Sequence, residues 1–408
     1  MSQPSHLIPV IPFSSAVMDR GQGSYVFDTN GKRYLDLTSG QFCTVLGHCN
    51  AEVQAQIREK TARLVHTSTS VVSGEVVDCA RQLHQISQDM EASSIILSTG
   101  AEVVEFCLRY AKSMQGKAGV LCFDKGYHGL TLGAQSVTFA GRYARPVVAE
   151  VLSVPAPTAQ WTAEEISASL EAIDQVMEAD NDLAAFLVEP IVSVGGMIFP
   201  PASWFQAVRE LCDKHKVLLV LDECQTGFGR TGDWFAYQTY GFVPDMVATA
   251  KGIGLGYPVA VALFRGALIK RSSSLLTHYS SHQNDPFGAA VVNTGIDYIR
   301  RHDVLVEVRE KGPRVLGALE RLTQVNPHLV SARGLGLMLG VDLFYEGVTD
   351  YRPIYHQVSD MMLERGVLLQ GTDGGHTLRF LPDYLIDVAA VEDSFFVLDE
   401  VCRALSSV

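Results

Sequence analysis

Between residues 93 and 264, short apolar runs alternate with amphipathic stretches of helical period, and this alternation restricts the fold more than any other feature of the 408-residue chain. The runs are "SSIILS", "GVLCFD", "DLAAFLVEP", "KVLLVLDE", "DMVATA" and "PVAVALF"; "AEVVEFCLRYAKSM", "TAEEISASLEAIDQVMEA" and "PASWFQAVRELCDKH" lie between them. Strands without a polar side need cover on both faces, so the pattern predicts a largely parallel sheet flanked by helices. Ahead of it stand an extended, proline-bearing arm, a hairpin in "SYVFDTNGKRYLDLTSG" turned at Asn30-Gly31, and the helical "AEVQAQIREKTARLV". After about residue 290 come helices, "AAVVNTGIDYIRR" and "RVLGALERLTQV", then short strands at "GLMLGVDLF" and "TLRFLP". The expected organisation is an α/β protein. A large domain covers residues 50–295, and a smaller α+β domain is built from the arm and hairpin of 1–49 together with 296–408.

A formal charge of −13 argues against nucleic acid or an anionic membrane as partner. The eight cysteines show no CxxC or zinc spacing, and several lie in apolar runs, which suits reduced core thiols in a cytoplasmic protein. "MSQPSHLIPVIPFSS" lacks the basic and apolar regions of an export signal, and no apolar run approaches the ~18 residues of a membrane span.

In sheets of this kind ligands gather beyond the carboxyl ends of the strands, and four such ends carry unusual residues. In "ILSTGAEVVEF", Thr99, Gly100 and Ala101 open a helix whose free N–H groups can seat a phosphate; a plain helix cap by Ser98 or Thr99 explains the same residues. In "CFDKGYHGLT", Tyr127 can stack on a planar ring or simply pack in its loop. In "KVLLVLDECQTGFGRTG" a buried Asp222 needs a positive partner, because an unpaired carboxylate costs several kcal/mol to desolvate. In "DMVATAKGIGLG", Lys251 sits at a strand end among small residues, where desolvation lowers an amine pKa and frees a nucleophile; an Asp222–Lys251 ion pair is the simpler alternative. The "GIGLG" run lacks the acid that a dinucleotide site places about twenty residues on. A phosphate seat, a stacking ring, a buried acid and a desolvated lysine together match pyridoxal phosphate, with Asp222 facing the protonated pyridine nitrogen.

At these residues, "LDECQTGFGRTG" and "AKGIGLGYP", the chain resembles the class III, fold type I pyridoxal-phosphate aminotransferases over nearly its full length. The resemblance implies Lys251 as Schiff-base lysine, Asp222 at the ring nitrogen, Gln225 near the ring hydroxyl, Thr99, Gly100 and Ala101 at the phosphate, and Tyr127 on the ring. It implies a homodimer with shared sites, or a tetramer, in which Ser281 of "HYSSHQNDPFGAA" reaches the phosphate across the interface. Arg379 of "TLRFLPDYL" matches the substrate-carboxylate arginine, whose planar fork suits that group. Pro382-Asp383 stands where the family often has Pro-Pro. Val194, after Glu189-Pro190, stands where ω-aminotransferases often carry a gating Glu, which leaves Arg379 open to an α-carboxylate. Gln41 of "LTSGQFCTVLGHC" is unusual and looks most like dialkylglycine decarboxylase, where the matching Gln holds a carboxylate perpendicular to the ring; a loop amide bonded to backbone is the plainer reading. Tyr127 and Val194 depart from that enzyme's Trp and Ser. Thr67, Thr69, Ser281, Gln283 and Asp285 match its alkali-metal site, implying a bound potassium ion, although such residues also serve as turn formers. The expected activity is transamination of an α-amino acid. Decarboxylating transamination, racemisation and cofactor binding without turnover are the alternatives.

Overall fold

The apolar runs pair into one seven-stranded sheet, ordered Ser93–Leu97, Ala260–Phe264, Met246–Thr249, Leu218–Asp222, Leu183–Val188, Gly119–Phe123, Val151–Val154. The structure is a computed structural model, and it describes residues 6–8, 16–141, 150–158, 161–272 and 278–405. Strand alternation explains the two-sided core. Leu219 and Leu221 join one hydrophobic cluster, with Phe205, Val208 and Cys212 of the helix Ala202–His215. Leu218 and Val220 join the other, with Val103, Val104 and Cys107 of the helix Gly100–Gln115. The sheet is parallel except for Ala260–Phe264, which runs against both neighbours. Only residues 250–259 separate it from Met246–Thr249, too few for the crossover of a dozen or more that a parallel connection needs.

The two ends of the chain meet. The expected hairpin is present as Tyr25–Asp28 and Arg33–Asp36; Asp28 Oδ1 accepts from the N–H groups of Asn30 and Lys32, and Gly31 takes φ +82°. Arg33–Asp36 then pairs in parallel with Val367–Leu368. A four-stranded antiparallel sheet follows, ordered Leu329–Leu335, Met338–Leu343, Thr377–Phe380, Gln370–Gly371. All eight cysteines are free thiols, six of them buried. Among the described residues no helix is long and apolar enough to cross a membrane.

Candidate active site

The carboxyl ends of four strands converge on a cavity of about 470 Å³, lined by Thr99, Gly100, Ala101, Tyr127, Asp222 and Lys251 together with Cys43, His128 and Tyr257. Six of the residues singled out in the sequence therefore share one wall. Thr99 is the N-cap, its Oγ1 accepting from Glu102 N at 3.3 Å, while the N–H groups of Gly100 and Ala101, in the first turn, have no acceptor inside the helix. Capping and an anion seat are thus compatible. A Cβ on Gly100 would lie 3.3 Å from Cys224 Sγ, so a small residue keeps this floor open.

Asp222 is fully enclosed, and its positive partner is His128, not Lys251. His128 Nδ1 lies 2.8 Å from Asp222 Oδ2, and Cys224 N donates to Oδ1 at 3.0 Å. An ionised carboxylate can only accept, so the His128 proton is on Nδ1. Burial pushes the Asp222 carboxyl upward, but the His128 hydrogen bond and charge, the Cys224 N–H and the Lys251 charge outweigh it and hold the pKa below its ordinary value. Lys251 forms no ion pair among the described residues. Its backbone takes φ +50°, an uncommon conformation for a lysine that turns the chain out of Met246–Thr249. Behind Tyr127, Glu189 Oε1 accepts from its N–H at 2.9 Å, and burial pushes this carboxyl up to about 7.

Arg379 and Gln41 are not among the residues lining this cavity; Phe42, between Gln41 and the lining residue Cys43, places its ring against Arg379. Arg379 is 5% exposed, its guanidinium 5.2 Å from the centre of the Phe42 ring. It donates to Gly371 O (2.9 Å), Ser193 Oγ (3.1 Å) and Gln370 Oε1 (3.2 Å). All three are neutral oxygens; no described carboxylate hydrogen-bonds to it, and the one carboxyl whose charge acts on it is Glu189, itself pushed up to about 7. Desolvation brings its pKa down to about 10. Ser193, beside the expected gate position Val194, touches the arginine, whereas Val194 O accepts from Asp373 N. Gln41 accepts from Gln370 Nε2 and sits in a left-handed turn: Ser39, Gly40, Gln41 and Phe42 all have φ between +42° and +68°. Such backbone persists only where its surroundings over-determine it. Here Gly40 N donates to Asp36 Oδ2 at 2.8 Å, and the Ser39 hydroxyl donates to Leu381 O at 2.7 Å and accepts from Arg230.

The class III aminotransferase family model matches residues 11–401. The chain belongs to the class III aminotransferases. Among curated members, acetylornithine aminotransferase of Myxococcus xanthus is 32% identical over 400 residues, covering 95% of this chain and 93% of that one. A [LysW]-aminoadipate semialdehyde/glutamate semialdehyde transaminase of Sulfurisphaera tokodaii is 31% identical, covering 92% of each. The fold matches a transaminase crystal structure from a marine Virgibacillus at TM-score 0.91, with 22% identity and coverage of 99% and 97%. It also matches the PMP-bound aminotransferase of Vibrio fluvialis at TM-score 0.89, with 20% identity and coverage of 96% and 93%. The expected family, the fold-type-I α/β architecture, the transaminase activity and the pyridoxal phosphate cofactor all stand with this membership.

The site of this class III aminotransferase fits that cofactor on its own terms. It offers an enclosed anionic carboxylate, an amine without an ion-pair partner, and unbonded first-turn N–H groups. In addition, Gln225 Oε1 is buried without a hydrogen-bond partner, as an acceptor awaiting a hydroxyl would be. Ser281 is exposed in a turn outside this cavity. Of the residues matched to a metal site, Thr67 and Thr69 are half-buried, the second in a turn, and Gln283 Oε1 accepts from Ser280 N at 3.1 Å. Asp285 caps the helix Pro286–Arg301 through Oδ1. Its Oδ2 faces two imidazoles, His282 Nδ1 at 2.6 Å and His66 Nδ1 at 3.3 Å. Nothing in the sequence assigns His128, Ser193 or Gln370 to the site. The first lay in a stretch already singled out, beside Tyr127; the other two carried no signal of their own.

Proposed function

We propose that this aminotransferase acts on an α-amino acid, with Lys251 Nζ holding the cofactor's aldehyde carbon and Asp222 facing its ring nitrogen. When bound, pyridoxal phosphate supplies an electron sink for the pair left behind when a bond to the substrate α-carbon breaks. Asp222, kept ionised by His128, favours the protonated ring. Gly100 and Ala101 N–H with the Thr99 turn would hold the phosphate, Ser281 would reach it from a second subunit, Tyr127 would cover the ring and Gln225 would receive its hydroxyl. Lys251 Nζ, once displaced by substrate, takes the α-proton and returns it. The assembly is a homodimer, or a tetramer of such pairs, and the chain divides at about 49/50 and 295/296.

One observation carries the choice of substrate: Arg379 is a buried cation whose partners are all neutral. A buried guanidinium with no carboxylate hydrogen-bonded to it is costly, and a substrate carboxylate is the group that relieves it. The relatives' names describe donors such as acetylornithine. In this chain Val194 supplies no acid to mask Arg379, so the arginine is free for an α-carboxylate throughout the cycle. Gln41 beside it favours a second reading, decarboxylating transamination, in which that amide turns the carboxylate perpendicular to the ring. Potassium at Thr67, Thr69, Ser281, Gln283 and Asp285 is retained within this reading; full activity with potassium replaced by a bulky organic cation removes it.

Purified protein is incubated with α-amino acids, including α,α-dialkyl ones, and an acceptor keto acid. Keto acid without carbon dioxide supports the first reading, carbon dioxide release the second. Inversion of configuration without keto acid indicates a racemase, and no product at all defeats both readings. Lys251→Ala is expected to abolish the absorbance band of lysine-bound cofactor; an unchanged band removes Lys251 from its role.

A further inference from the structure

Resting on that reading, we infer that Gln370 is the positioning residue that fixes the polarity of the carboxylate site and makes Gln41 a donor. The argument needs only hydrogen-bond inventory. Gln370 lies directly across from Arg379 in the antiparallel pair Gln370–Gly371 and Thr377–Phe380, so strand register sets their meeting. A guanidinium has no acceptor, so the Gln370 atom facing Arg379 Nη2 at 3.2 Å is its oxygen. Its amide nitrogen is thereby turned the other way, where it donates to Gln41. The Gln41 atom receiving that bond must be oxygen, which leaves Gln41 Nε2, on an exposed side chain, as a free donor.

The charge on Arg379 is thus relayed through two amides as a fixed sequence of donors. The site then presents N–H groups from Arg379 and from Gln41, with the oxygens of Gln370 and Gln41 both taken up in the relay, which selects an anion over a neutral amide or alcohol. The left-handed turn at 39–42 keeps the Gln41 backbone in place while Gln370 settles which end of its amide faces outward.

Two isosteric substitutions separate this role from a structural one. Gln370→Met removes the relay. Gln370→Glu offers two acceptors, so it neutralises Arg379 and turns the Gln41 carbonyl outward. The readouts are KM and kcat for the amino acid, and the dissociation constant of isobutyrate, a non-reacting carboxylate, from its perturbation of the cofactor band. Met is expected to weaken both KM and isobutyrate binding roughly tenfold, and Glu roughly a hundredfold, with kcat within about threefold and the cofactor band unshifted. KM and isobutyrate binding within twofold of wild type in both variants overturns the inference, as does Glu binding no worse than Met. A parallel fall of kcat, band intensity and thermal midpoint in both variants assigns Gln370 a structural role and likewise overturns it. Absence of keto acid or carbon dioxide from the wild-type enzyme defeats the proposed function instead; isobutyrate binding still tests the relay.

Discussion

Asp222 and Glu223 follow one another at the end of the same strand, both enclosed, and the chain treats them in opposite ways. Alternation sends Asp222 to the face of the Gly100–Gln115 helix, where it borders the cavity, and Glu223 to the other face. Glu223 meets three neutral donors: Ala236 N at 2.7 Å, Tyr237 N at 3.0 Å and the Thr226 hydroxyl at 3.0 Å. These close the loop between the strand and the helix Ala236–Tyr240. Without a cation, burial pushes its carboxyl up to about 7, whereas the imidazole beside Asp222 brings that neighbour below its usual range. Two adjacent acids of equal enclosure thus differ by what faces them. An acid kept charged toward a cavity is available for chemistry; an acid wrapped by backbone is part of the scaffold.

The contrast is open to attack at both residues. Asp222→Ala is expected to lower turnover by about 10²–10³-fold while leaving the thermal midpoint close to wild type, measured by steady-state assay and melting. Turnover unchanged would end the assignment. Glu223→Ala should do the reverse, costing about 4 kcal/mol in urea unfolding by stranding buried donors, with turnover per folded molecule within a few-fold. The pH dependence sharpens the distinction. Glu223 is raised from 4.5 when unfolded to about 7 when folded, so the folded state holds a proton the unfolded chain has released, and stability falls as pH rises across that window. Glu223→Gln should remove at most about 3 kcal/mol of that decline between pH 5 and 7.5, leaving the share of Glu189, which is also near 7. Asp222 contributes with the opposite sign, its stabilisation lost as pH falls through its depressed value. The smallest effect belongs to the supporting imidazole: His128→Phe should cost roughly tenfold in turnover, and more so at low pH as Asp222 gains a proton. A flat pH response in that variant would show that His128 does not govern the charge.

Much of this was readable in the residue order, for a physical reason. Strands enclosed on both faces must be uninterrupted apolar runs, so Leu183–Val188 and Leu218–Asp222 announce themselves, and the residues just past them mark the cavity. Elements with weaker demands gave less. Val151–Val154 is a four-residue edge strand, too short to show a pattern of its own. The reversal of Ala260–Phe264 does not show in its own residues, because an antiparallel strand buried on both faces reads like a parallel one; only the short connection after Met246–Thr249 records it. Partners remote in sequence were out of reach. His128 and Asp222 are 94 residues apart, Ser193 and Arg379 are 186 apart, and no local pattern records that they touch. The need for a positive group at Asp222 was legible; which residue supplied it was not.

The turn that carries Gln41 is made early and finished late. Its companion strand is Val367–Leu368, and the amide that orients it is 329 residues downstream. At the roughly 5–20 residues per second of synthesis, those 329 residues mean about 15–65 s on the ribosome during which the hairpin lacks its partner Val367–Leu368. Cofactor encountered by the emerging chain would find the lysine before the selector of its substrate exists, so fidelity toward acids arrives only with roughly the final forty residues.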